Sequence, residues 1–273
     1  MITLTSDFGL TDYKVAAIKG GILNLKKDIR IVDITHEIQP YNLLQTSYIV
    51  RNAFRYFPKG TVHIISVDSF YAQNVKSIIY KCFGQYFIAA DNGVLSLIFF
   101  DAKPEAVYEI TMNKDFDSET KFVSTDIFVP AAVHLQSGGL PEEIGKEYKT
   151  PKQNISISPV FNKTQKIISG EAIYIDHFGN VVSNISKDFF EKNKADFQNF
   201  KVRFRNVTLR KIYDYHTEFV TDWKKEHEFH GKVSAIFNEA GLLEIIIYKG
   251  SENSGAKTLF GISVGETIYV EFD

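Results

Sequence analysis

Several carboxylates and amides stand at the ends of strand-like runs, where their chemistry would be accessible. Asp7 follows the short β-type run Ile2-Thr3-Leu4-Thr5 and precedes a helical pattern. Ligands of open α/β sheets gather at the carboxyl ends of strands, and a carboxylate there has acceptor sites that match a vicinal diol. An Asp at such a junction also suits a helix N-cap, and by position alone the cap reading leads. Asp68 ends the most apolar run of the chain, Thr61–Val67. It is suited to polarise a water or hold a cation, or equally to open a turn before Ser69. Ala90-Asp91-Asn92-Gly93 carries an Asn-Gly step and reads first as a tight turn with positive φ. Asp176-His177-Phe178-Gly179-Asn180 follows the run Lys166–Ile175. Its Asp, Phe and Asn supply an acceptor, an aromatic face and an amide, a set that suits a purine nucleoside.

Other chemistries find little support. Asp214, His216, His227 and His230 invite a metal reading, but their spacing matches no ligand motif and Glu226 and Glu228 interleave with them. A solvated surface segment is the better account, and no metal is expected. There is no Gly-rich phosphate loop and no nucleophile elbow around any serine.

The elements that must position these residues alternate in the first half. Strand-like Ile2–Thr5 is followed by a helical pattern from Tyr13 to about Leu25, with Val15, Ile18, Ile22 and Leu25 at helical spacing. Ile31–Ile34 is a strand, Leu43–Phe57 a helix, and Thr61–Val67 a buried central strand. Lys76–Phe83 and Tyr86–Ala90 form two strands joined at Gly84-Gln85, and Ile127–Leu135 is a further helix. This order predicts an N-terminal α/β domain (1–150) with a mostly parallel central sheet. The polar stretch Gly145–Pro159 is the expected boundary. Lys166–Ile175, Lys201–Phe204, Lys232–Phe237, Leu242–Tyr248 and Glu266–Phe272 then predict a smaller C-terminal β-barrel domain (160–273).

Composition agrees with a globular chain: 44% hydrophobic and 23% charged over 273 residues. A formal charge of −2 gives no general attraction to nucleic acid or to an anionic membrane. The single cysteine, Cys82, excludes an intramolecular disulfide and fits a cytoplasmic setting. No signal peptide is expected, and no apolar run approaches the roughly 20 residues of a spanning helix.

In order and spacing, a series of segments resembles one family. They are Thr5-Ser6-Asp7-Phe8-Gly9-Leu10-Thr11-Asp12, Ile31-Val32-Asp33-Ile34-Thr35-His36-Glu37-Ile38, Gly60-Thr61-Val62-His63, Ala90-Asp91-Asn92-Gly93, Asp126-Ile127-Phe128-Val129-Pro130-Ala131-Ala132 and Ile175-Asp176-His177-Phe178-Gly179-Asn180. The chain thus resembles the S-adenosyl-L-methionine hydroxide adenosyltransferases, adenosine-forming hydrolases related to fluorinases and chlorinases. The resemblance spans nearly the whole chain and implies an α/β domain followed by a β-barrel. It also implies a homotrimer with ligand sites between the N-domain of one subunit and the C-domain of the next. The reaction implied is attack of water or hydroxide at ribose C5′, giving adenosine and methionine, with no cofactor beyond S-adenosyl-methionine as substrate or ligand. Asp7 would hold the ribose hydroxyls, with Asn92 in the same substrate-binding set. Asp176, Phe178 and Asn180 would contact the methionine end and the adenine. Phe122 and Ser124 would line the space near C5′. Tyr215, or else Tyr213, would cover the other adenine face.

Asp68 matches the family's catalytic Asp, but the chain departs from the pattern around it. Val75 stands at the position of the usual Arg and Val123 at that of the usual His, and Ser69–Asn74 replaces a Gly-rich segment. Valine supplies no donor to orient water. Lys76 would point to the opposite strand face; Tyr71, Gln73 and Lys121 are other candidate donors. Glu239 and Ala240 stand where halogenating relatives carry Ser and Arg, and Glu239 would repel a methionine carboxylate. Halogenation is disfavoured because Asp68 would repel a halide. Two readings stay open: a hydrolase with Asp68 as its surviving catalytic group, and a binding protein that keeps the adenosyl site without the reaction.

Overall fold

The computed structural model describes residues 1–112, 122–154 and 158–273. The chain divides into two compact units, Met1–Ser156 and Ile157–Asp273.

In the first unit the elements are β1 (Ile2–Ser6), α1 (Lys14–Leu25), β2 (Ile31–Thr35), α2 (Leu43–Ala53), β3 (Val62–Ser66), β4 (Ser77–Cys82), β5 (Gln85–Ala90), α3 (Val94–Ile98), β6 (Ala106–Ile110), a π-helical turn (Ser124–Phe128), α4 (Val129–Gln136), α5 (Pro141–Ile144) and β7 (Gly145–Glu147). Seven strands pair in the order β2-β1-β3-β5-β4-β6-β7. β1, β2, β3, β5 and β6 point one way and β4 and β7 the other. Phe83 and Gly84 join β4 to β5 with φ of 52° and 71°, the left-handed pair that a two-residue hairpin requires.

β1 and β3 are buried along their whole length, as expected of central strands covered on both faces. The period-2 alternation sorts their side chains. Ile64 and Ile88 join Ile2, Leu4, Ile18, Ile22 and Phe128 on one face. Ile65, Phe87 and Ala89 join Val50, Phe54 and Phe99 on the other. Residues 145–154, expected to begin the boundary, are bound into this unit. Gly145–Glu147 pairs with β6, and the amide of Lys152 donates to Asp91 Oδ1 at 2.8 Å.

The second unit contains β8 (Val160–Asn162), β9 (Ile167–Ile175), β10 (Val181–Ser186), α6 (Lys187–Lys194), β11 (Phe200–Phe204), β12 (Val207–Leu209), β13 (Ile212–Tyr213), β14 (Val233–Phe237), β15 (Leu242–Ile247), α7 (Ala256–Phe260) and β16 (Thr267–Phe272). Its path runs β12-β11-β16-β9-β10-β15-β14-β13, with β8 added on β9. Val202 and Phe204 from one end of that path share a core with Ala235 and Ile245 from the other, so the sheet curls on itself into a barrel-like layer. Among the described residues no helix is long and apolar enough to cross a membrane.

Candidate ligand site

The carboxyl ends of β1, β3 and β5 lie side by side in the first unit, because β1 pairs with β3 and β3 with β5 in parallel. Asp7 leaves β1 there. Its Oδ2 accepts the backbone amides of Tyr41 at 3.0 Å and Asp68 at 3.2 Å. Both donors are non-glycine residues in the left-handed region, with φ of 66° and 47°, a conformation that persists only when surrounding contacts impose it. The helix-cap alternative for Asp7 is therefore corrected. α1 starts at Lys14 behind Tyr13, without a side-chain cap, and Asp7 instead ties the loops after β2 and β3 to the end of β1. No described partner takes its other oxygen.

Asp68 is half-buried, and no hydrogen bond to its carboxylate is made among the described residues. A turn-opening Asp spends its side chain on the following amides; this one does not. Its backbone is held from below. Asn92 is buried, and its Nδ2 donates to Val67 O at 3.0 Å and Asp68 O at 3.1 Å. Asn92 Oδ1 accepts the amide of Val94 at 3.1 Å. Gly93 has a φ of 93°, and a Cβ there would stand 2.3 Å from Asn154 Nδ2, so only glycine fits beneath that side chain. Asn92 is thus a brace between the ends of β3 and β5.

Ser124 is fully buried, and its hydroxyl donates to Ser66 Oγ at 2.8 Å. Phe122 packs edge-on against Phe8 at 5.5 Å between centroids. Val123 is buried in the core cluster. Val75 is exposed, and its amide donates to Ala72 O at 3.0 Å. Lys76 does not replace the missing Arg: it pairs with Glu109 at 3.0 Å and lies over the Tyr148 ring at 4.2 Å. Tyr71 and Gln73 are exposed; Lys121 lies outside the described residues.

Two polar contacts near this edge escape sequence reasoning. Ser6 Oγ meets His36 Nδ1 at 2.7 Å. His36 Nε2 stands 3.2 Å from Asp33 Oδ1 without hydrogen-bond alignment.

In the second unit, the turn between β9 and β10 is built around Asp176. Its Oδ1 accepts the amides of Phe178 at 2.9 Å and Asn180 at 2.8 Å, and its Oδ2 accepts Asn180 Nδ2 at 2.9 Å. Gly179, at φ 74°, and Gly255 let this turn touch the start of α7; a Cβ on Gly255 would stand 2.3 Å from Phe178 O. Phe178 is left 60% exposed and Tyr215 59% exposed, whereas Tyr213 packs on Phe219 at 5.4 Å. The turn between β14 and β15 holds Glu239. Asn238 Oδ1 accepts the amides of Ala240 and Leu242 at 3.0 and 3.1 Å. His230 pairs with Glu226 at 2.9 Å, and among the described residues no three His, Cys, Asp or Glu side chains are grouped as metal ligands.

Residues 2–145 match the family profile of the S-adenosyl-methionine hydroxide adenosyltransferase N-terminal domain, and residues 170–269 that of its C-terminal domain. The chain belongs to this family. Within the adenosyltransferase family it is 31% identical to the (R)-S-adenosyl-L-methionine hydrolase of Methanocaldococcus jannaschii, over 90% of this chain and 87% of that protein. It is 26% identical to the (R)-S-adenosyl-L-methionine hydrolase of Thermus thermophilus, over 95% of each. A fluorinase of Actinopolyspora mzabensis matches at 25% over 70% of this chain and 73% of its own. The crystal structure of a conserved Thermotoga maritima protein superposes with a TM-score of 0.84 at 28% identity, covering 99% of this chain and 100% of the other.

Proposed function

We propose that the protein binds S-adenosyl-L-methionine and hydrolyses it to adenosine and L-methionine, with Asp68 as the catalytic residue. The observation that carries this reading is the junction of Asp7 and Asp68. One carboxylate oxygen of Asp7 is anchored while the other is open to a ribose hydroxyl, and the Asp68 carboxylate beside it is unspent. Family membership supplies the ligand class.

In the proposed reaction the water oxygen forms a bond to C5′ as the C5′–S bond breaks. The electron pair goes to sulfur, which leaves as a neutral thioether, and one proton passes from water to Asp68 and then to solvent. Cationic sulfur is a good leaving group, so the protein's contribution is position and desolvation. Phe122 and the buried pair Ser124–Ser66 shape the wall near C5′, and Phe178 and Tyr215 offer exposed ring faces to adenine. The homotrimer that the family resemblance implies would cover these exposed rings.

A second reading is favoured by Val75 and Val123: the protein holds the adenosyl ligand and leaves it intact. Long incubation with S-adenosyl-methionine, analysed by liquid chromatography and mass spectrometry, separates the two. Hydrolysis predicts adenosine that depends on protein and falls by roughly a hundredfold in Asp68→Asn. Intact, tightly bound ligand identifies the binding protein, and adenosine formation unchanged in Asp68→Asn removes Asp68 from the mechanism.

A further inference from the structure

We propose that Glu244 is a positioning residue for the amino-acid end of the ligand, held by the Asn238–Gly241 turn and placing negative charge beside the Asp176–Asn180 turn. The inference rests on the proposed function, with the methionine end of the ligand at Asp176 and its neighbours as the family resemblance implies.

Glu244 is only 5% exposed, in the middle of β15. Across the sheet it faces Val182 on β10 and Ile236 on β14, two apolar residues that give a carboxylate nothing. Its partner comes from a turn. Asn238 Nδ2 donates to Glu244 Oε2 at 2.8 Å, and Asn180, two residues before the Val182 that pairs with Glu244, falls on the same face of the sheet. Asn180 bonds to Asp176 and takes the amide of Ile247 on its Oδ1 at 3.4 Å. One buried acid therefore holds the amide that shapes the loop of Glu239 and shares a sheet face with the amide that bonds Asp176.

A buried carboxylate is costly, and a core built only for stability would carry an apolar residue here. The ionisable groups facing it are both acidic, Asp176 from one turn and Glu239 from the other. Burial first, opposed by the Asn238 bond and reinforced by these two carboxylates, raises Glu244 to about 7. It is therefore protonated in mildly acidic solution and ionised above neutrality. A ligand ammonium resting on Asp176 favours the ionised form, so binding releases a proton and affinity climbs as pH rises through neutrality.

The test is calorimetric titration of the full-length protein with S-adenosyl-methionine and with adenosine, which lacks the tail. It is run at about pH 6 and about pH 7.5 on wild type and Glu244→Gln, with thermal unfolding as the check on folding. Wild type should bind S-adenosyl-methionine about tenfold more tightly at the higher pH and adenosine equally at both. Glu244→Gln should lose that rise and about tenfold in affinity for S-adenosyl-methionine, and keep adenosine affinity within about twofold. The wild-type comparison of the two ligands stands even if the variant does not fold. Equal losses for both ligands, or no pH response in wild type, overturn the role of Glu244 alone. Wild-type protein that binds neither ligand overturns the proposed function and this inference together.

Discussion

Replacing Asp7 in two ways separates its two jobs. In Asp7→Asn the amide oxygen still accepts the amides of Tyr41 and Asp68, now without charge. Charge-assisted bonds are about twice as strong as neutral ones, so the two bonds together lose about 1–2 kcal/mol. In Asp7→Ala both amides lose their acceptor, at a gross cost of about 3–6 kcal/mol. Release of the left-handed backbone at Tyr41 and Asp68, at φ of 66° and 47°, returns about 1 kcal/mol or more at each. The net loss is then about 1–4 kcal/mol. For a unit of this size that is roughly 2–16 °C in Tm, against roughly 2–8 °C for Asp7→Asn. Adenosine affinity should fall at least about tenfold in both variants, because the free oxygen gives way to an NH2 group in one and is absent in the other. Scanning calorimetry reads the first quantity and isothermal titration the second. If Asp7→Ala unfolds at the wild-type temperature, Asp7 does not anchor the two loops. If Asp7→Asn binds adenosine as wild type does, the open oxygen is not the ribose acceptor.

Asn92→Ala strands the carbonyls of Val67 and Asp68 and the amide of Val94 in a buried place, and should cost about 2–4 kcal/mol in denaturant unfolding. An unchanged midpoint would mean that water takes over the brace. His63 tests the acid limb of stability. Its Nδ1 lies 2.6 Å from Thr3 Oγ1 and its Nε2 2.6 Å from Gln85 Oε1. Gln85 spends its Nε2 on Phe57 O, so its oxygen accepts from Nε2–H and Nδ1 accepts from Thr3. Burial holds the ring neutral and lowers it from 6.5 to about 4. A depressed histidine contributes stability above its unfolded value and loses it as pH falls from about 6.5 to about 4, about 3 kcal/mol in all. His63→Gln should show a shallower loss over that window in urea titrations at successive pH values; an unaltered slope would assign the acid limb elsewhere.

The chain's strand ends were legible because their chemistry is local. Asp7, Asp68 and Asp176 each follow an apolar or β-branched run, and the Asn92-Gly93 step, with Gly93 at φ 93°, announces itself as a dipeptide. What those residues do with their hydrogen-bonding groups was less legible, because their partners are remote in sequence. Asp7 is 61 residues from the Asp68 amide that it accepts, so a helix cap, which needs only near neighbours, was the natural alternative. Ser6 with His36, Thr3 with His63 and Asn180 with Ile247 are likewise contacts between separate elements. His63 is hidden inside what reads as an apolar strand, and Glu244 inside another. The missing donors at Val75 and Val123 were readable by comparison with the family pattern. That Lys76 is already engaged by Glu109 and Tyr148 required the fold. The short strands β7, β8, β12 and β13 carry too few residues to show a period.

The π-helical turn at Ser124–Phe128 has a consequence for how this wall can change. The amide of Val129 reaches back five residues to Ser124 O, so the turn holds one residue more than an α-helix would use. That surplus lets Phe122, Val123 and Ser124 be aimed independently of α4, whose Val129, Ala131, Ala132 and Val133 stay seated in the core. Deleting a single residue between Thr125 and Phe128 would restore the ordinary ladder. It would swing the three wall residues by about 100° about the axis and part Ser124 from Ser66, with the helix behind them undisturbed. A length change of one residue, rather than a substitution, is thus the shortest route by which this scaffold could present a different surface to the proposed ligand.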